Sequence, residues 1–409
     1  MATTVEAATG TTVVPFAVTE ISPEAREAAA RVLASGWVTT GPEVAEFERE
    51  FAAWIGAQHA VAVSSCTAAI ELSLRALRLP AGARVLTSTM TFCGAIHAII
   101  HAGLTPVLVD VNPETLMPDA FTTAAAVRRS GRAQAMVVLH YAGYPAPVEE
   151  MAAAAGVPLD RVVEDAAHAL GTRAGDRPVG TISIATCFSF YATKNLAIGE
   201  GGMIVTSDPE FADYVRRARL HGMSGDAWKR YLPGASWRYS VDVPGLKANM
   251  SDVQAAIGRA QLQHLPRWQE RRVDLARRYD YRLADKPGLQ TPSWPAHGLH
   301  AWHLYVIKVK PAFGMARDQF IRNLAERGIH CSVHFIPVHQ QPYFRRVLGS
   351  DIIGHFPAAD SVFEEIVSLP LYPALSDASM ERVCQVIAEL ANLSPAGRGE
   401  RRESRSAIL

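Results

Sequence analysis

The 409-residue sequence predicts an α/β protein with a large domain, built on a mostly parallel sheet between helices, and a smaller C-terminal α/β domain. From residue 58 onwards, short apolar runs alternate with helical patterns, which is typical of parallel strands joined by crossover helices. The length and the hydrophobic fraction of 49% are enough for two or more domains.

The N-terminal part predicts an arm followed by two helices. Residues 1–20 are mostly small and polar without a clear pattern, so we expect a flexible arm. Ser22 followed by Pro23 and Glu24 is typical of a helix start, and Gly36 of a helix end. A second helix is predicted over residues 42–55.

Six apolar runs predict the strands of the large domain, with helices such as Thr67–Leu77 and Gly94–Ala102 between them. The runs are His59–Val63, Arg84–Thr87, Thr105–Val109, Ala135–Leu139, Arg161–Val163 and Thr186–Phe190. Ligands of such sheets bind where strand ends meet helix starts.

The C-terminal part predicts a long polar helix over Leu265–Leu283, a helix over Ala316–Arg327, and strands over His303–Val309 and Ser332–Phe335. The predicted large domain is therefore 21–264, and the small domain with its linker helix is 265–394. Residues 395–409 are rich in arginine and serine, which indicates a disordered tail.

Charge and cysteine usage exclude several classes of function. Lys plus Arg equals Asp plus Glu at 40 each, so bulk charge favours neither nucleic acid nor an anionic membrane. The five cysteines are scattered and form no C-x-x-C pair, which is typical of reduced thiols in the cytoplasm. We see no signal peptide and no apolar stretch near the ~20 residues of a membrane span.

A lysine follows the last predicted strand of the sheet. Lys194 comes after Thr186–Phe190, with glycines at 199, 201 and 202. An unpaired ammonium is costly in the crevice of a sheet, so its pKa falls and its amine becomes nucleophilic. The glycines let the backbone pass close to a ligand. A surface lysine in a glycine-rich turn is the alternative.

A carboxylate ends another buried strand. Asp165 follows the apolar run at 161–163, and His168 lies three residues later. An acid here can face the ring nitrogen of pyridoxal phosphate (PLP) and keep it protonated, which makes the ring an electron sink. His168 can reach the ring oxygen. The alternative for Asp165 is a cap on the next helix.

Two further features suit the phosphate and the ring of the same cofactor. Residues 63–69 lead from a strand into a helix, whose free amides and dipole attract a phosphate, and Ser189 would add a hydroxyl. Phe92 could stack on a flat ring. Ordinary helix capping and an ordinary core phenylalanine are the alternatives.

Along the chain, the phosphate turn comes first, then the aromatic residue, then Asp165 with His168, and then Ser189 with Lys194. In this order of motifs the sequence resembles the fold-type I PLP enzymes, and more closely the DegT/DnrJ/StrS family of sugar aminotransferases. The resemblance runs from Gly36–Trp37 to Ser368–Pro373. Its most specific pieces are residues 164–168, residues 189–195 and residues 199–202. It implies a seven-stranded type of sheet in the PLP-binding domain.

The resemblance also implies roles for single residues. Lys194 matches the Schiff-base lysine and proton shuttle, and Asp165 matches the partner of the ring nitrogen. The other cofactor positions are His168 beside the ring oxygen, Phe92 on the ring face, and Cys66, Thr67 and Ser189 around the phosphate. Many relatives have glycine in place of Cys66, which puts the local turn geometry in doubt.

Family members are homodimers with shared active sites. Residues 244–252 match the loop that reaches the neighbour's phosphate, so Lys247 is expected to act in the partner's site. Many relatives have asparagine there, whereas a lysine contacts phosphate as a charge.

The implied reaction moves an amino group from L-glutamate to a nucleotide-linked keto-sugar, with pyridoxamine phosphate formed during turnover. Lys194 favours this over sugar dehydration, for which some relatives carry histidine. A dTDP-4-keto-6-deoxyhexose is the first choice, because residues 221–231 resemble relatives that aminate at C4. Lys229 and Arg230 are candidates for the diphosphate or solvated surface charges, and His334 is expected near the mouth of the site.

Three alternatives compete with this interpretation. The acceptor could be a 3-keto-sugar or an aminocyclitol precursor, and some family members are thought to bind PLP as regulators without turnover. A structural metal is the third, because His330, Cys331, His334 and His339 lie close in sequence, as do His97 and His101. No H-E-x-x-H or paired C-x-x-C motif accompanies them, and three ligands on a strand and loop need not converge, so we expect no metal site.

Overall fold

The computed structural model describes residues 13–224, 238–349 and 354–393. Its strands are β1 His59–Val63, β2 Arg84–Ser88, β3 Thr105–Val109, β4 Ala135–Leu139, β5 Val162–Asp165, β6 Arg173–Ala174, β7 Arg177–Pro178, β8 Ala185–Ser189, β9 Gly202–Thr206, β10 Leu289–Gln290, β11 Gly298–Leu299, β12 Tyr305–Val309 and β13 Ile366–Leu369.

The helices surround these strands. They are α1 Pro23–Ser35, α2 Pro42–Ile55, α3 Cys66–Ala76, α4 Cys93–His101, α5 Ala120–Ser130, α6 Val148–Ala155, α7 Pro209–Ala218, α8 Asp252–Leu283, α9 Arg317–Glu326, α10 Pro342–Leu348, α11 Pro357–Phe363 and α12 Asp377–Leu393. None of the helices in the described ranges has the length and apolar character that a bilayer crossing requires.

The large sheet has the strand order β1-β9-β8-β5-β4-β2-β3. The pairings between β8, β5, β4, β2 and β3 are all parallel, and β9 runs antiparallel to both of its neighbours. Six strands therefore point the same way, and their C-terminal ends meet at one edge. The predicted mostly parallel sheet is confirmed.

Apolar side chains on both faces of the sheet explain why its strands are buried. All five residues of β4 are buried, and separate clusters of Val, Leu, Ile and Phe side chains fill the space under the flanking helices. A second core lies between α8, α9, α12 and the antiparallel sheet β10-β12-β13. This is the smaller α/β unit that the sequence predicts.

The predicted first helix is confirmed at both ends. The Ser22 side chain accepts a hydrogen bond from the Ala25 amide, and Gly36 takes a left-handed conformation with φ of 76°. The strand β9 was missed, because Gly202 begins it directly after a glycine-rich turn.

Two predicted elements of the C-terminal part are wrong. The long helix begins at Asp252 rather than Leu265, because Ser251 and Gln254 form a capping box and Pro266 is accommodated inside the helix. Residues 332–335 form no strand; only Ser332 makes an isolated bridge, to Ser368. The predicted domain boundary at 264/265 falls inside α8.

Residues 13–20, within the predicted arm, make defined contacts with both cores. The Val14 amide donates to the Gly328 carbonyl at 2.8 Å, and the Thr19 hydroxyl donates to the Ala192 carbonyl at 2.7 Å. The segment thus connects α9 and its following turn to the loop that carries Lys194. The predicted tail, 395–409, lies outside the described residues.

A buried carboxylate joins β5 to β4 and β8. Glu164 has no exposed surface and accepts hydrogen bonds from His140 Nε2 at 2.8 Å, Ser183 Oγ at 2.7 Å and Thr186 Oγ1 at 3.1 Å. Burial alone would raise the pKa of Glu164, but these hydrogen bonds lower it overall. The next residue on the strand is Asp165.

Replacing Glu164 by alanine is expected to lower the free energy of unfolding by about 3 kcal/mol, because the buried donors His140 and Thr186 lose their acceptor. Chemical denaturation followed by circular dichroism measures this. Glu326→Ala, at the exposed end of α9, is the matched control and should change stability by less than about 0.5 kcal/mol. Equal effects of the two substitutions would contradict the role of Glu164.

Candidate active site

A cavity of about 470 Å³ lies at the edge where the parallel strands end. Ser65, Phe92, Leu139, Asp165 and Ser189 line it from positions at or just beyond the ends of β1, β2, β4, β5 and β8. The opposite walls come from residues 16–20, from α8, and from residues 334–335 and 371–373. The cavity therefore lies between the two cores, where ligands of open α/β sheets bind.

Lys194 lies in the loop between β8 and β9 and lines this cavity. Its backbone amide donates to the Tyr191 carbonyl at 2.9 Å, which fixes the turn. Burial lowers the pKa of the Lys194 amine to about 8, while Asp165 acts in the opposite direction. The amine is thus prepared as a nucleophile and base near neutral pH.

Asp165 is buried at the C-terminal end of β5. Its Oδ1 accepts a hydrogen bond from the Ala167 amide at 3.1 Å and lies 3.7 Å from Cys66 Sγ. Burial raises the pKa of this carboxyl group. Among the described residues Oδ2 has no hydrogen-bond donor, so it is available to a positively charged group of a ligand.

Two neutral histidines lie together beside Lys194. His168 Nδ1 accepts the Ala142 amide at 3.2 Å, so its proton is on Nε2. His303 Nδ1 lies 3.1 Å from Asn195 Oδ1, an acceptor, so its proton is on Nδ1. The two ring centroids are 4.4 Å apart, and burial lowers the pKa of both imidazoles well below the usual range.

The start of α3 presents free backbone amides to the cavity. Ser65 caps the helix by accepting from the Ala68 amide at 3.1 Å, and Thr67 lies in the first turn. The Cys66 side chain turns away from this helix end towards Asp165 and the Cys187 carbonyl. Ser189, at the end of β8, lines the same cavity.

Phe92 and His334 form parts of the wall. Phe92 is 58% exposed, which is unusual for a phenylalanine, and its side chain lines the cavity. His334 Nδ1 lies 2.8 Å from Ser368 Oγ, and its ring stacks on Phe16 at 5.5 Å between centroids. Burial lowers the pKa of His334 to about 4.

One described residue among those predicted, Lys247, is not brought into this cavity. Lys247 is exposed, does not line the cavity of its own chain, and donates to Asn249 Oδ1 at 2.6 Å. Lys229 and Arg230 lie outside the described residues. Within the part of the chain that the structure describes, no group of three His, Cys, Asp or Glu side chains could hold a metal ion.

Sequence reasoning missed several residues of the wall. These include Phe16, Arg272 and His303. They have no local signal, because each joins the wall through contacts distant in the sequence, such as Arg272 with Leu371. Ser65, by contrast, lies within the predicted phosphate turn, residues 63–69.

The residues of the cavity fit pyridoxal phosphate. The buried Asp165 carboxylate suits a protonated ring nitrogen, the exposed ring of Phe92 suits a flat ring, and the start of α3 suits a phosphate. The Lys194 amine suits the aldehyde.

Comparison with known proteins agrees with this fit. Residues 19–388 match the model of the DegT/DnrJ/EryC1/StrS aminotransferase family. The chain is 44% identical over 378 residues to the spore coat polysaccharide biosynthesis protein SpsC of Bacillus subtilis, covering 92% of this chain and 96% of that protein.

Solved structures of sugar aminotransferases are similar over nearly the whole chain. Spr1654 of Streptococcus pneumoniae, in its PMP form, has a TM-score of 0.84 at 29% identity, covering 93% of this chain and 99% of its own. The sugar aminotransferase CalS13 of Micromonospora echinospora has a TM-score of 0.80 at 28% identity, covering 91% and 99%. Spr1654 is also known in a PLP form.

The family match, the fold and the cavity agree on fold-type I architecture and on PLP as cofactor, with its pyridoxamine form in turnover. The chain belongs to the DegT/DnrJ/EryC1/StrS aminotransferase family and is a PLP-dependent sugar aminotransferase.

Proposed function

We propose that the enzyme transfers the amino group of L-glutamate to a nucleotide-linked keto-sugar, with a dTDP-4-keto-6-deoxyhexose as acceptor and a 4-amino-4,6-dideoxy sugar as product. The observation that carries this proposal is the meeting of the Lys194 amine and the buried Asp165 carboxylate in one cavity of a sugar aminotransferase. The pathway would serve a cell-surface polysaccharide, as the name of the similar SpsC indicates for that protein, or an antibiotic.

Besides Lys194, five residues of this chain would hold the cofactor. Asp165 would face the ring nitrogen, His168 Nε2 the ring oxygen and Phe92 the ring face, while Thr67 and Ser189 would bind the phosphate. PLP bound there supplies an aldehyde that carries the amino group and a ring that withdraws electrons from the adjacent carbon. Cys66 would support the site through Asp165 and through its own backbone amide in the first turn of α3.

Lys194 has two tasks in this scheme. Its amine binds the cofactor between turnovers, and once released it takes the proton from the α-carbon of the donor. The lowered pKa leaves a useful fraction of the amine unprotonated near neutral pH. The neutral histidines His168 and His303 do not compete for this proton, because burial disfavours their charged forms.

The acceptor is tested by a two-step absorbance experiment on the purified, PLP-loaded protein. L-glutamate should remove the visible absorbance of the bound cofactor, and dTDP-4-keto-6-deoxyglucose should restore it. Loss without recovery would reject this acceptor and turn attention to 3-keto-sugars and cyclitols. A protein that binds PLP but shows neither change would be a regulator without turnover.

The pH dependence of cofactor capture tests the environment of Lys194. The rate at which cofactor-free protein captures PLP should rise with pH and level off above about 8, because the reactive amine is then unprotonated. Stopped-flow absorbance measures the rate. A rise centred near 10.5, the ordinary lysine value, would show that burial does not act on this amine.

The enzyme is proposed to be a cytoplasmic homodimer whose partner's Lys247 binds the phosphate. In support, Lys247 is exposed and does not line the cavity of its own chain, and it lies beside Asn249, whose amide contacts Thr40. The five cysteines are all unpaired, as is usual in the cytoplasm.

Mixing two inactive variants tests the shared site. Lys194→Ala and Lys247→Glu homodimers should each be nearly inactive, since one lacks the reactive amine and the other repels the phosphate. Heterodimers formed by co-expression should regain one intact site each, measured as glutamate-dependent amino transfer. Mixed samples no more active than the separate variants would contradict a site shared between subunits.

A further inference from the structure

A buried arginine without a counter-charge forms part of the cavity wall. Arg272 lies on α8, one turn after Trp268, and both side chains line the cavity. Only 3% of Arg272 is exposed. A buried guanidinium normally pairs with a carboxylate, because an isolated charge is strongly disfavoured away from water.

The hydrogen bonds of Arg272 use one of its three nitrogens. Its Nη1 donates to the carbonyls of Trp302 at 3.1 Å, His303 at 3.4 Å and Leu371 at 3.0 Å. These carbonyl oxygens hold the side chain in place but leave its positive charge uncompensated. No acidic side chain of the described residues forms an ion pair with it, and burial lowers its pKa to about 10.

The other two nitrogens lack acceptors. Nε is enclosed and makes no hydrogen bond. Nη2 likewise has no acceptor among the described residues, and the Arg272 side chain lines the cavity. A charged donor that three carbonyls fix in the wall of a cavity is arranged to receive an anion that enters from outside.

The position of Arg272 selects the kind of anion. A cofactor phosphate has its own place at the start of α3 and at Ser189, on the wall formed by the large sheet. Arg272 lies on the α8 wall, and its carbonyl partner His303 bonds through its ring to Asn195, the neighbour of Lys194. An anion bound there would lie on the wall that contacts Asn195, and an amino donor must be held near its neighbour Lys194 to react.

We propose that Arg272 is the binding site for a carboxylate of the amino donor, with Nη2 as its hydrogen-bond donor. This inference rests on the proposed function, because it takes an amino acid such as L-glutamate as donor. Arg272 would thereby select a carboxylate-bearing donor, while its Nη1 contacts keep the guanidinium in place before the donor arrives.

Calorimetric titration of the PLP-loaded protein with glutarate tests this proposal. Glutarate has the two carboxylates of the donor but no amino group, so it binds without reacting. Arg272→Gln should weaken glutarate binding at least about tenfold, because the anion loses a charged hydrogen-bond donor. An unchanged glutarate affinity in a folded, PLP-loaded variant would overturn the proposal.

Arg317→Gln is the matched control. Arg317 is also buried and donates through Nη1 to two carbonyls, those of Phe363 and Ile366, but it does not line the cavity. This variant should lose stability as Arg272→Gln does, yet bind glutarate within about twofold of the wild type. Equal weakening of glutarate binding by both substitutions would assign the effect to general destabilisation and overturn the proposal.

A second anion separates the donor from the sugar nucleotide. The affinity for dTDP should be the same in the wild type and in Arg272→Gln; weaker dTDP binding with unchanged glutarate binding would reassign Arg272 to the diphosphate. Neither titration includes a sugar acceptor, so a wrong acceptor in the proposed function leaves both results intact.

A crystal structure of the wild-type protein with glutarate decides the matter if Arg272→Gln does not fold. A carboxylate oxygen within hydrogen-bond distance of Arg272 Nη2 supports the proposal. A glutarate bound in the cavity away from Arg272 contradicts it.

Discussion

The arrangement of the cavity depends on how the protein keeps ionisable groups away from water. Lys194 and Asp165 meet at the edge of the sheet, where burial shifts the pKa of each towards its neutral form. Burial also keeps His168 and His303 uncharged, so few charges remain in the wall. Each remaining charge therefore has a large effect on what the cavity can bind.

The fold supplies this environment by closing the sheet edge with a second unit. The long helix α8 passes from the large core to the small one, and residues 13–20 bridge the same two cores beside it. Behind the site, Glu164 and His140 join the strand that carries Asp165 to its neighbour β4. The Glu164–His140 hydrogen bond on one side, and α8 with residues 13–20 on the other, keep the Lys194 amine in position without a ligand.

Local sequence patterns predicted the sheet and most of the site, because Lys194, Asp165, Ser189 and Phe92 each lie at or just after the end of an apolar strand. Local patterns gave wrong or missing predictions where a helix boundary or a wall residue depends on contacts that are distant in the sequence. The long helix starts at Asp252 rather than at the predicted Leu265, and Pro266 lies inside it. Arg272 has no local signal, since its partner Leu371 is 99 residues away.

Borohydride reduction of the PLP-loaded protein, followed by peptide mass spectrometry, is the most direct test of the role of Lys194. Reduction fixes the cofactor on the lysine that binds it. The cavity geometry predicts a single modified peptide that contains Lys194, and no modification of the exposed Lys247. A cofactor found on any other lysine would contradict the site described above.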